Sequence, residues 1–478
     1  MMVVEHMHSV LPAMPEIVVL VMIGVIMIVD LFIRQANRKV VYILSQLTLV
    51  VAAAFTWHDF GIQDIAFQKQ FMFDDLAFVL TLFMYLLTFG VFLYSRGYVV
   101  RKKMMFGEFH ILILLSLLGG MVLVSANSLL TLYVGLELLT LPQYAMVAML
   151  RDETKAPEAA MKYFIMGAVA SGILLYGISL IYGATGSLLL PNIAMATGYS
   201  AAHSPLLIFG MIFVVVALAF KFGAVPFHMW VPDVFEGAPT AVTLFISTVP
   251  KLAGFAMMIH LLYEALPLLQ PQWSAILMAL AVLSLIVGNL LAIVQKNIKR
   301  MFGYSAVAHA GFILLAVSLG NAQGYAAALF YTIAYGLMSL GGFGVIVLLE
   351  RSGQGFDNIE SLRGLNSRNP WLAFVMMLFL LSMAGVPPLL GFDAKLLVLL
   401  GLVQQGDYYV TGIALLMAVI AAYYYLRVIK VMYFDAPSIT EPVALPLDGK
   451  IGISINGLGI LVLGCLPAGL MGLCQLVF

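Results

Sequence analysis

Glu137, Lys221, Lys251 and Lys395 are the side chains best placed for chemistry, because each stands inside an apolar run where charge is expensive. A lysine near mid-bilayer costs roughly 2.5–3.5 kcal/mol on insertion scales, so three of them and a glutamate demand a reason. The chemistry open to such a set is acid–base: taking up a proton, holding it and passing it on. Lys251 lies eleven residues into a segment that begins near 240, or roughly 16 Å deep at 1.5 Å per residue. Snorkelling, in which the stem stretches until the ammonium reaches the interface, suits Lys162 and Lys430 but not Lys251. Glu137 sits about ten residues from either end of its own run, in LYVGLELLTLP. An isolated carboxylate there takes up a proton, whereas a cationic partner keeps it ionised. Lys221 is the natural partner.

Two of these lysines adjoin helix-breaking residues. Lys221 is followed by Gly223 and Pro226, and Lys395 follows Gly385, Pro387, Pro388 and Gly391, so a break is expected beside each. Irregular backbone at membrane depth is tolerated only where protein or water lines it. Two compatible readings of Lys221 stand: it satisfies carbonyls freed at the break, or it carries a proton. Lys395 either pairs with Asp393 as a structural element or takes part in the same relay. His309, in GYSAVAHAGF, is either a satisfied buried histidine or a further relay member. His228, Asp233 and Glu236 follow the first break and form either a cytoplasmic proton entrance or polar loop contacts. Lys299 and Arg300 open a span, where anchoring at the cytoplasmic face is the simpler role.

The elements that must hold these residues are transmembrane helices. The chain has 478 residues, 63% hydrophobic and only 10% charged, with a mean hydropathy of +1.06; globular chains average about a quarter charged. Apolar segments at 14–33, 40–57, 76–95, 109–125, 128–149, 161–182, 205–225, 240–264, 273–294, 303–319, 325–349, 370–404, 408–433 and 452–476 make fourteen expected spans, each near the twenty residues a bilayer requires. The charges support this count. Nineteen of the 23 basic residues, from Arg34, Arg38 and Lys39 through Arg351 to Lys450, fall on alternate loops of one side, and only Lys69 falls on the other. The basic side is then cytoplasmic and both termini are external. The stretch before the first span has no basic region, which reads as a retained helix rather than a signal peptide.

Glu137 precedes Lys221 by 84 residues and His309 precedes Lys395 by 86. That spacing suggests two five-helix repeats, spans 4–8 and 9–13, inverted relative to one another because each holds an odd number of spans. The expected organisation is 1–108 (helices 1–3), 109–265 (first repeat), 266–433 (second, inverted repeat) and 434–478 (helix 14). Balanced charge, 23 basic against 23 acidic, gives no reason to expect nucleic acid as a partner. Cys465 and Cys474 have no CxxC spacing for a metal or cluster, GGFG at 341–344 is a helix-packing cluster, and no P-loop is present. A pure scaffold is the reading from another class, but buried ionisable groups beside helix breaks give a scaffold no gain.

Six segments resemble the antiporter-like subunits of respiratory complex I, NADH:quinone oxidoreductase, and among them the N type. They are YVGLELLTLPQYAMVAM around Glu137, FKFGAVPFHMWVPDVFEGAPTAV from Phe220, STVPKLAGF around Lys251, GNLLAIVQKNIKRMFGYSAVAHAGF around His309, MAGVPPLLGFDAKLLVL around Lys395 and AAYYYLRVIKVMYF near the end. The resemblance covers spans 4 to 13; the others match in hydropathy alone. It implies that Glu137 is the fifth-helix glutamate, Lys221 the seventh-helix lysine, Lys251 the eighth-helix lysine and Lys395 the twelfth-helix ionisable residue near the exit. A lysine at this last position fits the N and L types better than M, and the L type's long lateral helix is not expected here. The implied function is proton translocation in a bacterial inner membrane, driven by quinone reduction elsewhere. NADH, FMN, iron–sulfur clusters and quinone would then lie in other subunits, with M-type and small K- or J-type membrane subunits as neighbours. A sodium/proton antiporter subunit of the Mrp type is the alternative.

Overall fold

The computed structural model describes residues 10–33, 39–61, 63–104, 106–199, 204–350, 356–437, 442 and 445–478; Arg34, Arg38 and Arg351 lie outside them. The described chain is almost entirely helical. Helices α1 (Met14–Phe32), α2 (Lys39–His58), α3 (Asp75–Arg101), α4 (Phe106–Val124), α5 (Leu129–Val147) and α6 (Lys155–Thr185) come first. A short antiparallel hairpin, β1 (Asp64–Ala66) and β2 (Phe71–Phe73), interrupts them. The middle of the chain holds α7 (Leu190–Tyr199), α8 (Pro205–Phe222), α9 (Trp230–Gly237), α10 (Thr240–Ile246), α11 (Val249–Met258), α12 (Gln270–Ile293), α13 (Ile298–Ser318) and α14 (Ala322–Glu350). The end holds α15 (Leu365–Arg368), α16 (Pro370–Ala384), α17 (Leu390–Gln405), α18 (Tyr408–Tyr433), α19 (Leu447–Cys465) and α20 (Ala468–Leu476).

Among the described residues, thirteen helical stretches are long and apolar enough to cross a bilayer, and α16 is a shorter apolar helix. Their outer faces are apolar: Leu20, Met27, Ile28 and Leu31 of α1 and Leu415, Leu416 and Val419 of α18 are exposed. Such continuous apolar surface marks contact with lipid or partner helices rather than water. The most apolar eighteen residues of the stretches Thr240–Glu264, Ile298–Ser318 and Ala322–Glu350 are wholly buried by the other helices. Lys251 and His309 therefore stand on the innermost helices.

Both expected breaks are present. α8 ends at Gly223 (φ +70°) and α16 at Gly385 (φ +88°), left-handed positions that glycine adopts without a Cβ clash. Prolines follow each stop and prevent the helix from resuming. Two further interruptions differ from the sequence reading. The 240–264 segment is broken at Ser247 and Thr248 and winds into a π-helical turn at Ile259–Glu264. Pro250 lacks an N–H and its ring crowds the carbonyl four residues back, which stops α10 before α11 begins. The last segment is likewise split between α19 and α20 at Pro467.

α5 is held against α4 by a reciprocal close approach. A Cβ at Gly119 would run into the backbone of Leu139, and one at Gly135 would lie 2.7 Å from the Leu123 nitrogen. Glu137 sits between these contacts, on a helix that cannot slide.

Candidate functional site

At the first break, Lys251 rather than Lys221 satisfies the stranded backbone. Its Nζ donates to the Phe222 carbonyl at 2.7 Å and stands 5.8 Å from the Phe222 ring centre. The last carbonyls of a helix have no internal partner and carry the negative end of its dipole, so an ammonium from α11 fits there. Lys221 is poorly placed for that duty because helical side chains tilt toward their own N-terminus, away from the C-terminal carbonyls. Its stem instead lies along α11, where a Cβ added at Gly254 would be 3.7 Å from Lys221 Cγ.

Lys221 Nζ and Glu137 Oε1 are both buried without a hydrogen-bond partner. The direct pair expected between them is therefore not closed. An unsatisfied buried polar atom costs about 1–3 kcal/mol, and more when charged, so the two sites call for water or for movement toward one another.

The second break is built the same way. Lys395 Nζ donates to the carbonyls of Met383 (2.9 Å) and Ala384 (2.8 Å) at the end of α16. Here the lysine lies near the start of α17, so its tilt toward the N-terminus brings it back to the break. Gly385 leaves room: a Cβ there would be 2.9 Å from Lys395 Cδ. The expected pairing with Asp393 does not occur, and Asp393 Oδ2 has no partner. Residues two apart on a helix point in different directions.

His309 joins this end of the site through hydroxyls. Its Nδ1 meets Tyr331 Oη at 2.8 Å and its Nε2 meets Tyr425 Oη at 3.2 Å, while Ser305 hydrogen-bonds Tyr425. Tyr424 Oη donates to Asn289 Oδ1 at 3.1 Å beside them. Hydroxyls on both ring nitrogens let either tautomer form, since a phenol donates or accepts. Phe312, one turn along α13, stacks on Tyr331 and lies beneath Lys395, whose Nζ is 5.5 Å from its ring centre. His309 is thus part of a buried polar cluster next to Lys395. Sequence reasoning missed Tyr331, Tyr425 and Ser305. Only Ser305 carried a signal, one turn before His309 on the same helix.

The remaining sequence candidates separate. Lys299 is 6% exposed, donates to the Ala238 carbonyl at 3.3 Å and lies 3.4 Å from Asp357, so it is a buried cavity residue rather than an exposed anchor. His228 is half-buried near the Tyr304 ring, with Nδ1 unpartnered. Asp233 and Glu236 are committed to ion pairs. Arg300 reaches both, at 2.7 and 3.2 Å, Lys162 reaches Asp233 at 3.0 Å and Lys155 reaches Glu236 at 2.9 Å. Burial alone would raise the Asp233 carboxyl, but Lys162 and Arg300 hold it below the usual carboxylate range. This favours the reading of loop contacts for these two acids. A double-mutant cycle of Asp233→Asn and Arg300→Gln is expected to give a coupling of about 1 kcal/mol in thermal inactivation, with pumping per assembled complex nearly unchanged. Loss of pumping in Asp233→Asn at full assembly would return Asp233 to the relay.

His260, which the sequence reading also missed, holds the opposite end of the Thr240–Glu264 segment. Its two ring nitrogens contact Glu264 and the Val124 carbonyl, each at 2.8 Å, tying the π-helical turn to the end of α4.

A family described as NADH:quinone oxidoreductase/Mrp antiporter, transmembrane, matches residues 126–421. The NADH-quinone oxidoreductase subunit N of Coxiella burnetii is 51% identical, over 99% of this chain and 100% of its own length. The subunit N of Thiobacillus denitrificans is 50% identical, over 97% of this chain and 96% of its own. Among solved structures, a chain of respiratory complex I from Thermus thermophilus with bound aureothin superposes with a TM-score of 0.82 at 32% identity, covering 96% of this chain and 99% of that one. A chain of the Mrp complex from a Dietzia species superposes with a TM-score of 0.85 over 98% of this chain and 96% of that one, at 19% identity, a likeness of fold alone.

Proposed function

The chain belongs to the NADH:quinone oxidoreductase/Mrp antiporter family, and on that premise we propose that Glu137, Lys221, Lys251, His309 and Lys395 form the proton path of a redox-driven pump. The chain is a multi-pass, proton-translocating membrane subunit of bacterial NADH:quinone oxidoreductase, the complex its relatives are named for. One observation carries the assignment of the path. At both glycine stops, Gly223 and Gly385, the freed carbonyls are held by a lysine Nζ, Lys251 on Phe222 and Lys395 on Met383 and Ala384.

A lysine that caps a broken helix links its own charge to the shape of the break. Protonated, it offers three N–H donors and a full charge to the carbonyls; deprotonated, it keeps the donors it needs but loses the charge that matches the helix dipole. Glu137 supplies the switch at Lys221. When Glu137 turns toward Lys221, the carboxylate holds the lysine's proton. When Glu137 turns away, burial favours release toward Lys251. From there the proton passes through water and the Ser305–Tyr425–His309–Tyr331 cluster to Lys395 and outward.

Driving force comes from quinone reduction in other subunits, which hold the NADH, FMN, iron–sulfur and quinone sites. M-type and small K- or J-type membrane subunits flank this chain. Its basic loops face the cytoplasm and its termini the periplasm, in keeping with the charge asymmetry. The similar stops at Gly223 and Gly385 fit two inverted five-helix units, 109–265 and 266–433, between helices 1–3 (1–108) and the last segment (434–478).

The sodium/proton alternative shares the fold at 19% identity, whereas the two subunits of NADH-quinone oxidoreductase named above are 51% and 50% identical. Vesicles holding the assembled complex, in sodium-free potassium buffer, are expected to take up protons on NADH addition at the full rate. A rate that falls when sodium is withdrawn and returns when it is restored would favour the antiporter reading instead.

A further inference from the structure

The hydroxyl residues of the span that carries Lys251 lie in order. Thr240, Thr243, Ser247 and Thr248 precede Lys251 by eleven, eight, four and three residues; Thr240 and Thr243 share a face of α10, and Ser247 and Thr248 lie at the interruption that leads into α11. All four are fully buried. At the cytoplasmic end of this stripe, Thr240 borders a cavity of about 300 Å³ that also reaches Lys299, Glu350, Glu153, Asp357, Arg101 and Lys102. Thr240 Oγ1 donates to Glu350 Oε1 at 2.7 Å, and its backbone N–H donates to Tyr98 Oη at 3.1 Å. The Glu153 and Asp357 side chains are 54% and 60% exposed, so the cavity opens to water at one end. At the other it meets a buried hydroxyl. Glu350 stands between the two.

At rest the hydroxyls donate to carbonyls of their own chain, Ser247 and Thr248 both to Leu244 and Thr243 to Pro239. That is the ordinary arrangement for Ser and Thr in a membrane helix, and it leaves each oxygen free to accept. Along α10 and its cap, side chains three or four residues apart, as Thr240, Thr243 and Ser247 are, have Cβ atoms about 5–6 Å apart, a gap that one water bridges with two bonds of about 2.8 Å. The interruption at Ser247 and Thr248 falls where the stripe approaches Lys251.

We propose that Glu350 collects protons from the cytoplasm and that Thr240, Thr243, Ser247 and Thr248, with intervening water, deliver them to Lys251. Each hydroxyl gives one proton forward and takes one from behind. The net step moves one proton from the Glu350 carboxyl to the neutral Lys251 amine, and solvent then reprotonates Glu350. This entrance rests on Lys251 being a proton carrier, and it lies apart from the ion-paired Asp233 and Glu236.

The test uses the assembled complex in membrane vesicles, with NADH-driven pumping measured per assembled complex between about pH 6 and about pH 8. Glu350→Gln is expected to slow pumping by roughly ten-fold at the alkaline end, where protons are scarce, and to recover toward the acid end. Glu350→Asp should retain most of the rate. The double variant Thr243→Val with Ser247→Ala should slow pumping at unchanged assembly. Native pumping in Glu350→Gln across the range would overturn the proposal, as would a loss that neither acid nor Glu350→Asp restores. If Glu350→Gln pumps normally while Lys221→Met does not, the relay stands and only its entrance lies elsewhere.

Discussion

Lys221→Met is expected to lower NADH-driven proton pumping by at least about ten-fold, equivalent to about 1.4 kcal/mol on the rate-limiting barrier, while the complex still assembles. Assembly should survive because Lys221 Nζ makes no hydrogen bond in the protein. Methionine keeps most of the side chain's volume against α11 and removes a charge that hydrocarbon penalises. A structural lysine would behave in the opposite way, since breaking a satisfied buried contact is costly. Glu137→Gln should give a similar loss for the matching reason, as its buried Oε1 is also without a partner. If the two residues act as one switch, the double variant pumps no worse than either single one. Pumping, quinone reduction and the amount of assembled complex are the three readouts. Native pumping in both single variants would remove the switch from the mechanism.

The part of this arrangement that was legible in the sequence is the part set by local rules. Gly223 with Pro226 and Gly385 with Pro387 and Pro388 announce the two breaks, and the structure ends α8 and α16 at those glycines. Pro250 carried the same signal for the gap between α10 and α11, which the apolar run around it concealed. Which lysine caps which helix was not legible. Nearness in sequence offered Lys221 as one candidate cap for the first break, yet the tilt of helical side chains leaves the cap to Lys251, 29 residues beyond Phe222. The same tilt, acting from the start of α17, turns Lys395 toward Met383 and Ala384 rather than toward Asp393. The partners of His309 lie beyond any local rule: Tyr331 is 22 residues away and Tyr425 is 116. Their meeting depends on how α13, α14 and α18 pack, which hydropathy alone does not encode.

Lys395→Arg separates capping from carrying, and its expected outcome is an assembled complex that does not pump. A guanidinium can still donate to the Met383 and Ala384 carbonyls that Lys395 now holds at 2.9 and 2.8 Å, so the broken helix keeps its cap. It does not give up its proton under any condition a membrane meets, because arginine stays charged. A lysine that only braces the break would be replaced by arginine with pumping intact. One that must lose and regain a proton would not. Space is the one complication, since Gly385 already lies close to the Lys395 stem. Lys395→Gln covers it, being a smaller neutral donor that also satisfies a carbonyl and also cannot carry the charge. Both variants should assemble and both should lose at least about ten-fold in pumping. Lys395→Met, which leaves the two carbonyls bare at a cost of about 1–3 kcal/mol each, should lose assembly as well. The proton role of Lys395 fails if arginine restores the native rate. Its capping role fails if methionine assembles as well as arginine does.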